Sequence, residues 1–252
     1  MFILLTNDDG FNAMGLTILS RVLRDIGHVI IVAPNSEKSA VGHAITLADP
    51  LRVTKVEKDG ALIGYSVNGT PADCVKIAVR ALLDRKPDVV VSGINLGGNT
   101  GINVIYSGTV SAATEGTMLG IPSIAVSLAT FSNPDFTFAA DFTKRLVLTV
   151  MEKGLPSGTL LNVNIPPCPR DRIKGVVVTR QGKAVFEEVF DRRVDPWNRV
   201  YYWMAGEKVE IHEEGDVDDQ VVKENRISIT PIQYDLTDYK SIELIKKWDL
   251  KV

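Results

Sequence analysis

The sequence predicts an α/β fold: a mostly parallel sheet covered by helices on both faces, followed by an antiparallel hairpin and a C-terminal extension. Three observations carry this. Unbroken apolar runs such as Phe2-Ile3-Leu4-Leu5 and Val89-Val90-Val91 have strand length and lack the alternation of a half-exposed sheet. Segments of helical period lie between them. Polar, glycine-rich segments fall where the strands end.

The first strand, Phe2–Leu5, runs into Thr6-Asn7-Asp8-Asp9-Gly10. Leu16, Leu19, Leu23 and Ile26 then recur at helical spacing, and His28–Ala33 reads as a second buried strand stopped by Pro34. Thr70-Pro71-Ala72-Asp73 is a helix start, with Thr70 as cap, Pro71 in the first turn and Asp73 at the positive end. Its apolar face is Val75, Ala78, Val79, Leu82 and Leu83. Asp88–Ser92 and Ser123–Leu128 are further buried strands, and Phe138, Phe142, Leu146 and Val150 mark a long helix. Leu160–Asn164 and Val176–Val178 complete the alternation.

Residues 182–213 differ. Val185-Phe186 and Val200-Tyr201-Tyr202-Trp203 flank a polar stretch with Pro196, the pattern of an antiparallel hairpin. The acidic run Glu213–Asp219 lacks the ligand spacing of an EF-hand and reads as a solvated loop. Ile227–Pro231 is a late strand, and Ile242, Ile245 and Trp248 suggest a terminal helix. No repeat or low-complexity linker divides the chain. Residues 1–252 therefore read as one domain, with a core of about 1–181 and a hairpin and extension of about 182–252.

Composition narrows the function. With 45% hydrophobic residues the chain has material for a sizeable core, and 28 basic against 31 acidic residues leave a net charge of -3. That balance gives no broad attraction to duplex nucleic acid or to a membrane surface. Cys74 and Cys168, the two cysteines, are too far apart for a CxxC metal pair, and a disulfide framework is not expected. Cys74 lies in a helical pattern as a small core residue. The apolar N-terminus is too short for a signal core and runs into Asp8-Asp9, so a cytoplasmic location is expected.

Asp8 and Asp9 are the first chemical signal. Adjacent carboxylates raise each other's pKa unless a positive group lies between them, and strand ends are where parallel sheets place chemistry. A cap-and-turn role is the alternative reading. Three other segments sit at strand ends. Ser36–His43 follows the second strand. Ser92–Gly101 follows the third and holds four glycines, two asparagines and a threonine in ten residues, a composition suited to close ligand approach. It is neither a Walker A loop nor a GxGxxG turn, which disfavours P-loop triphosphate hydrolysis and dinucleotide binding. Tyr106-Ser107-Gly108-Thr109-Val110 opens a helix, where free N–H groups and the helix dipole make an anion site, or where a hydroxyl merely caps. An all-oxygen donor set built on two aspartates favours Mg²⁺, Mn²⁺ or Ca²⁺ over Zn²⁺. On a strand Asp8 and Asp9 face opposite ways, so they share one ion only if the chain turns there. A cation beside an anion site is the arrangement for phosphoester hydrolysis.

With these motifs the chain closely resembles the SurE family, the survival-protein nucleotidases. The matching stretches are Thr6–Gly10, Ala33-Pro34 with Ser39 and Gly42-His43, Gly69–Val75, Pro87–Asn95, Tyr106–Val110, Glu115-Gly116, Gly120–Pro122, Leu161–Asn164 and Ser228–Pro231. The resemblance implies a Rossmann-like three-layer sandwich and a metal-dependent phosphatase of nucleoside 5′- and 3′-monophosphates. It places the ligands of one Mg²⁺ or Mn²⁺ per subunit on Asp8, Asp9, Ser39 and Asn95. Asn99, Ser107, Gly108 and Thr109 match the family's phosphate-binding positions, and Asn7, beside the acidic pair, is expected to join them. Ala40 stands where many members carry glycine, and with Ser39 kept in place little effect is expected. The resemblance also implies a homodimer or homotetramer joined through the C-terminal region.

The expected reaction is attack on phosphorus by a water activated near Asp8 or Asp9, with His43 protonating the leaving oxygen. A loop histidine that holds backbone is the other reading of His43. Lys38 and Lys76 are possible attractors of phosphate. A phospho-aspartyl phosphatase would need Asp-x-Asp after the first strand, and the aspartates here are adjacent. A non-catalytic nucleotide sensor and a structural subunit are the remaining alternatives.

Overall fold

The computed structural model describes residues 1–209, 211 and 213–250; residues 210, 212, 251 and 252 of the expected hairpin segment and extension lie outside the described residues. The chain runs β1 (Phe2–Thr6), α1 (Met14–Leu23), β2 (His28–Pro34), β3 (Val53–Lys58), β4 (Ala61–Val67), α2 (Pro71–Ile77), β5 (Val89–Leu96) and α3 (Asn103–Tyr106). It continues through α4 (Gly108–Met118), β6 (Ser123–Leu128), α5 (Thr137–Lys153), β7 (Thr159–Ile165) and β8 (Val176–Val178). The last elements are β9 (Val185–Val194), β10 (Val200–Val209), α6 (Asp218–Lys223), β11 (Ile227–Gln233) and α7 (Tyr239–Ile245).

The main sheet has the order β3-β4-β2-β1-β5-β6-β7-β11-β8 among the described residues. From β4 to β7 the neighbours are parallel, and β3 and β11 pair antiparallel with β4 and β7. Side chains on a strand alternate between faces. Ile3 and Leu5 accordingly join Leu16, Leu19 and Leu23 of α1 and Ala139, Ala140, Val147 and Val150 of α5 in one core. Phe2 and Leu4 join Cys74, Val75 and Ala78 behind α2, with Ala112 of α4, in another. Both faces of β1 are therefore dry, which is why it carries no alternation. This is the Rossmann-like three-layer sandwich expected.

Local signals place α2 well. The Thr70 hydroxyl accepts from the Asp73 N–H at 3.1 Å and the Asp73 carboxylate accepts from the Thr70 N–H at 2.9 Å, a reciprocal capping box. The expected apolar face continues past Ile77 in a π-helical turn over Ala78–Leu82. Cys74 is buried in the core, and burial pushes its thiol up, so it is no nucleophile.

Three differences from the sequence reading stand out. The segment between Pro34 and Thr70 holds two strands, β3 and β4, that extend the sheet beyond β2. The late strand β11 sits inside the main sheet between β7 and β8, so that sheet draws on residues beyond 181. The acidic run is not wholly a solvated loop: Asp218 and Asp219 are buried at the start of α6. Desolvation forbids an unpaired carboxylate there, and Asp218 is met by the N–H groups of Gly101 at 2.9 Å, Gly182 at 3.0 Å and Asp219 at 2.8 Å. The hairpin of β9 and β10 forms as expected, as a separate two-stranded sheet.

Candidate active site

β1 lies between β2 and β5, so the chain moves outward from it in both directions, and the β1/β5 boundary is the switch point of the sheet. Crevices for ligands open there, at the carboxyl ends of the strands. Asp8 and Asp9 follow β1, whereas the glycine-rich segment, expected after the strand, begins inside β5, which carries Asn95 and runs to Leu96 before the segment leaves the sheet.

β1 ends at Thr6, so Asp8 and Asp9 lie in a bend rather than on the pleat and need not face opposite ways. The buried Asn7 side chain donates to the Gly10 carbonyl at 3.0 Å and holds that bend. Asp8 turns toward α4, where its carboxylate accepts from the Thr109 hydroxyl. Asp9 turns toward β5 and accepts from the Leu96 N–H at 3.3 Å, one residue from Asn95. Burial holds the Asp8 carboxyl above its ordinary range, against the hydrogen bonds from Thr109 that favour the anion. Burial, then the neighbouring Asp8 charge, pushes Asp9 up to about 6.

The N-terminus of α4 presses on this pair. A Cβ at Gly108 would lie 2.7 Å from the Asp8 Cβ and 3.0 Å from its Oδ2, so only glycine lets the helix approach so closely. Ser107 is the cap, its Oγ accepting from the Val110 N–H at 3.1 Å. The first N–H groups of α4 have no partners within the helix, and its dipole favours negative charge at this end.

On the other side, the Asn95 side-chain nitrogen donates to the Gly97 carbonyl at 2.7 Å, which leaves its oxygen as the available ligand atom. Asn99 is drawn into the sheet. Its N–H donates to Asn164 Oδ1 at 2.7 Å, its carbonyl accepts from Asn162 and Asn164, and its side-chain nitrogen donates to Ser127 Oγ at 2.9 Å. Asn99 therefore anchors the glycine-rich segment. Asn162 and Asn164 received no role from spacing alone, although amides at alternate positions of an apolar strand signal buried bonding.

The segment after β2 closes the site. The Lys38 N–H donates to the Asp8 carbonyl at 2.8 Å, tying Ser39's loop to the acidic pair, and the Ser39 hydroxyl donates to Glu37 at 2.7 Å. His43 Nε2 lies 3.1 Å from Glu115 Oε2, and Lys76 Nζ lies 2.6 Å from the other Glu115 oxygen. Burial alone would raise the Glu115 pKa, but its bonds to His43 and Lys76 outweigh that and hold the carboxyl below its usual range. His43 is thus oriented by a carboxylate, and Lys76 is engaged by Glu115. Ala40 has φ +57°, so the position where glycine is common carries a left-handed backbone. A separate cleft of about 400 Å³ opens between the start of α5 and Pro166–Arg170, and none of the expected site residues lines it.

The family model for "Survival protein SurE" matches residues 3–188. The chain belongs to the SurE family. It is 53% identical to a relative from Moorella thermoacetica named 5′-nucleotidase SurE, over 95% of this chain and 92% of the relative. A second protein of that name, from Syntrophobacter fumaroxidans, is 51% identical over 99% of this chain and 100% of its own length. The crystal structure of a SurE protein from Aquifex aeolicus matches with a TM-score of 0.85 and 43% identity, over 98% of both chains. The family membership and the shared fold cover the elements that carry every residue described above.

Proposed function

We propose that the chain is a divalent-metal-dependent phosphomonoesterase that hydrolyses nucleoside 5′- and 3′-monophosphates to nucleoside and phosphate. The observation that carries this is the seating of Asp8 against Thr109 and Gly108, which joins an acidic pair to a helix N-terminus at the sheet's switch point. The naming of close relatives as 5′-nucleotidases supports the substrate class.

The residues fit a hard cation. A buried carboxylate, Asp8, and a half-buried one, Asp9, hold raised pKa values side by side, and the buried Asn7 Oδ1 meets no donor among the described residues. Asp8, Asp9, Ser39 and Asn95 would hold one Mg²⁺ or Mn²⁺, two charges balancing the ion and two neutral oxygens completing the set. Such an ion polarises a phosphoryl oxygen and lowers the pKa of water. The Gly108 and Thr109 N–H groups and the Ser107 hydroxyl receive phosphate oxygens, with Asn7 and Asn99 at the edges. A water held near Asp8 or Asp9 attacks phosphorus. His43, oriented by Glu115, gives a proton to the leaving nucleoside oxygen.

On this reading the chain is a single domain that assembles into a homodimer or homotetramer through the hairpin and tail. The hairpin leaves Phe190, Tyr202 and Met204 exposed on one face and Trp203 on the other, apolar surface that calls for a partner. The free Cys74 and Cys168 suit a reducing cytoplasm. No described helix is long and apolar enough to cross a membrane.

Phosphate release from a panel of nucleoside monophosphates, with Mg²⁺ or Mn²⁺ and with a chelator, tests the function. Release that needs the metal and is lost in Asp8→Asn, with the fold kept, is the expected result. Release by that variant at wild-type rate would overturn the site, and no release under any condition would move the reading to a nucleotide sensor.

A further inference from the structure

We propose that Phe131 is the platform on which the substrate's nucleobase stacks, a specificity-determining residue of the site above; the proposal rests on the phosphatase reading. Phe131 follows β6 in the turn that lies over the glycine-rich segment. That turn is held in place. The Gly97 N–H donates to the Leu128 carbonyl at 2.9 Å, the Ala129 N–H donates to the Ile165 carbonyl at 2.9 Å, and Thr130 Oγ1 closes on Ser132 at 2.9 Å.

The ring is placed against the main chain of Gly97. A Cβ at Gly97, where φ is +112°, would lie 2.4 Å from Phe131 Cε1, 2.7 Å from Cζ and 3.3 Å from Cδ1. Those three atoms are one edge of the ring. That edge lies against Gly97 while 83% of the residue stays exposed, so the aromatic faces look into solvent. Gly97 in turn accepts from Asn95 and is the next residue after Leu96, whose N–H reaches Asp9. The ring therefore stands one residue contact away from a proposed metal ligand.

Fold stability does not account for a phenylalanine this exposed, since such a ring gains little from burial. Its open face suits a flat partner. A phosphate seated between the acidic pair and α4 leaves the rest of its nucleotide on the open rim, where the base has a π-face to offer. Phenylalanine has no donor or acceptor, so it stacks any base and favours purines over pyrimidines through their larger face.

Steady-state kinetics on adenosine 5′-monophosphate, cytidine 5′-monophosphate and the base-free ribose 5-phosphate, with Mg²⁺ or Mn²⁺ present, test this in wild type, Phe131→Ala and Phe131→Trp. The ratio of kcat/KM for adenosine monophosphate over ribose 5-phosphate is expected to fall about tenfold in Phe131→Ala, through KM, and to return in Phe131→Trp. A ratio within about twofold of wild type in Phe131→Ala would overturn the assignment while leaving the phosphatase reading intact. A ratio that falls only in Tyr106→Ala, whose ring is exposed beside Ser107, would move the platform to that residue and overturn the assignment equally. Wild-type protein that releases phosphate from none of the three compounds would overturn the phosphatase reading and this assignment with it.

Discussion

The Thr109 hydroxyl donates to the Asp8 carboxylate, joining the first turn of α4 to the end of β1. Both residues are buried, so the bond works at low dielectric. Thr109→Val keeps the shape and removes the donor, which leaves a buried carboxylate oxygen short of a partner. Losing a hydrogen bond to a charged group costs roughly 1.5–3 kcal/mol of stability, and a misplaced Asp8 is expected to lower kcat/KM about tenfold. Phosphate-release kinetics beside a thermal melt would check it, and an unchanged kcat/KM would sink the role given to Thr109.

The acidic pair makes stability and metal binding depend on pH. Asp9 is raised to about 6, above the roughly 3.9 of an unfolded chain. In metal-free protein the folded state therefore holds this proton more tightly. The associated stabilisation is full below about pH 4 and is lost as pH rises through about 6. A divalent cation competes with that proton. Mg²⁺ or Mn²⁺ is expected to raise Tm more at pH 8 than at pH 5, and an equal rise at both would argue against a cation on Asp9.

Ala40 carries a left-handed backbone in the loop that presents Ser39. An L side chain there costs roughly 1–2 kcal/mol, and glycine loses about 0.5–1 kcal/mol more chain entropy on folding. Ala40→Gly should stabilise the protein by about 0.5 kcal/mol. A urea unfolding curve reads this directly, and a midpoint below wild type would show that the strain is absent.

Asp218 is buried at the start of α6 and accepts N–H groups from Gly101 and Gly182, binding the glycine-rich segment to the root of the hairpin. Gln181 adds a bond to the Gly101 carbonyl at 2.8 Å. Asp218→Ala strands three N–H groups and is expected to destabilise by about 3 kcal/mol. Chemical denaturation with an unchanged midpoint would contradict the clamp.

Much of this was legible along the chain, because near neighbours carry the signal. Apolar runs marked β1, β2, β5 and β6, and Thr70 with Asp73 announced the cap of α2 three residues apart. The residue types after β1 and β5 suggested a hard-oxygen site before any geometry was known. β3 and β4 were not legible, since Val53–Lys58 mixes apolar and charged residues on an exposed edge and pairs only with β4, which in turn pairs with β2. Asp218 read as part of a solvated run because two of its three partners lie 36 and 117 residues away. The same holds for His43 on Glu115, Asn99 on Asn164, and Phe131 on Gly97. Periodicity, caps and turn chemistry are written in adjacent side chains, so the sequence alone determined the layered α/β fold and the family of the site. Burial and long-range hydrogen bonds exist only once distant segments meet, so the tertiary structure alone decided which carboxylates are buried, how each is held, and which ring lies against Gly97.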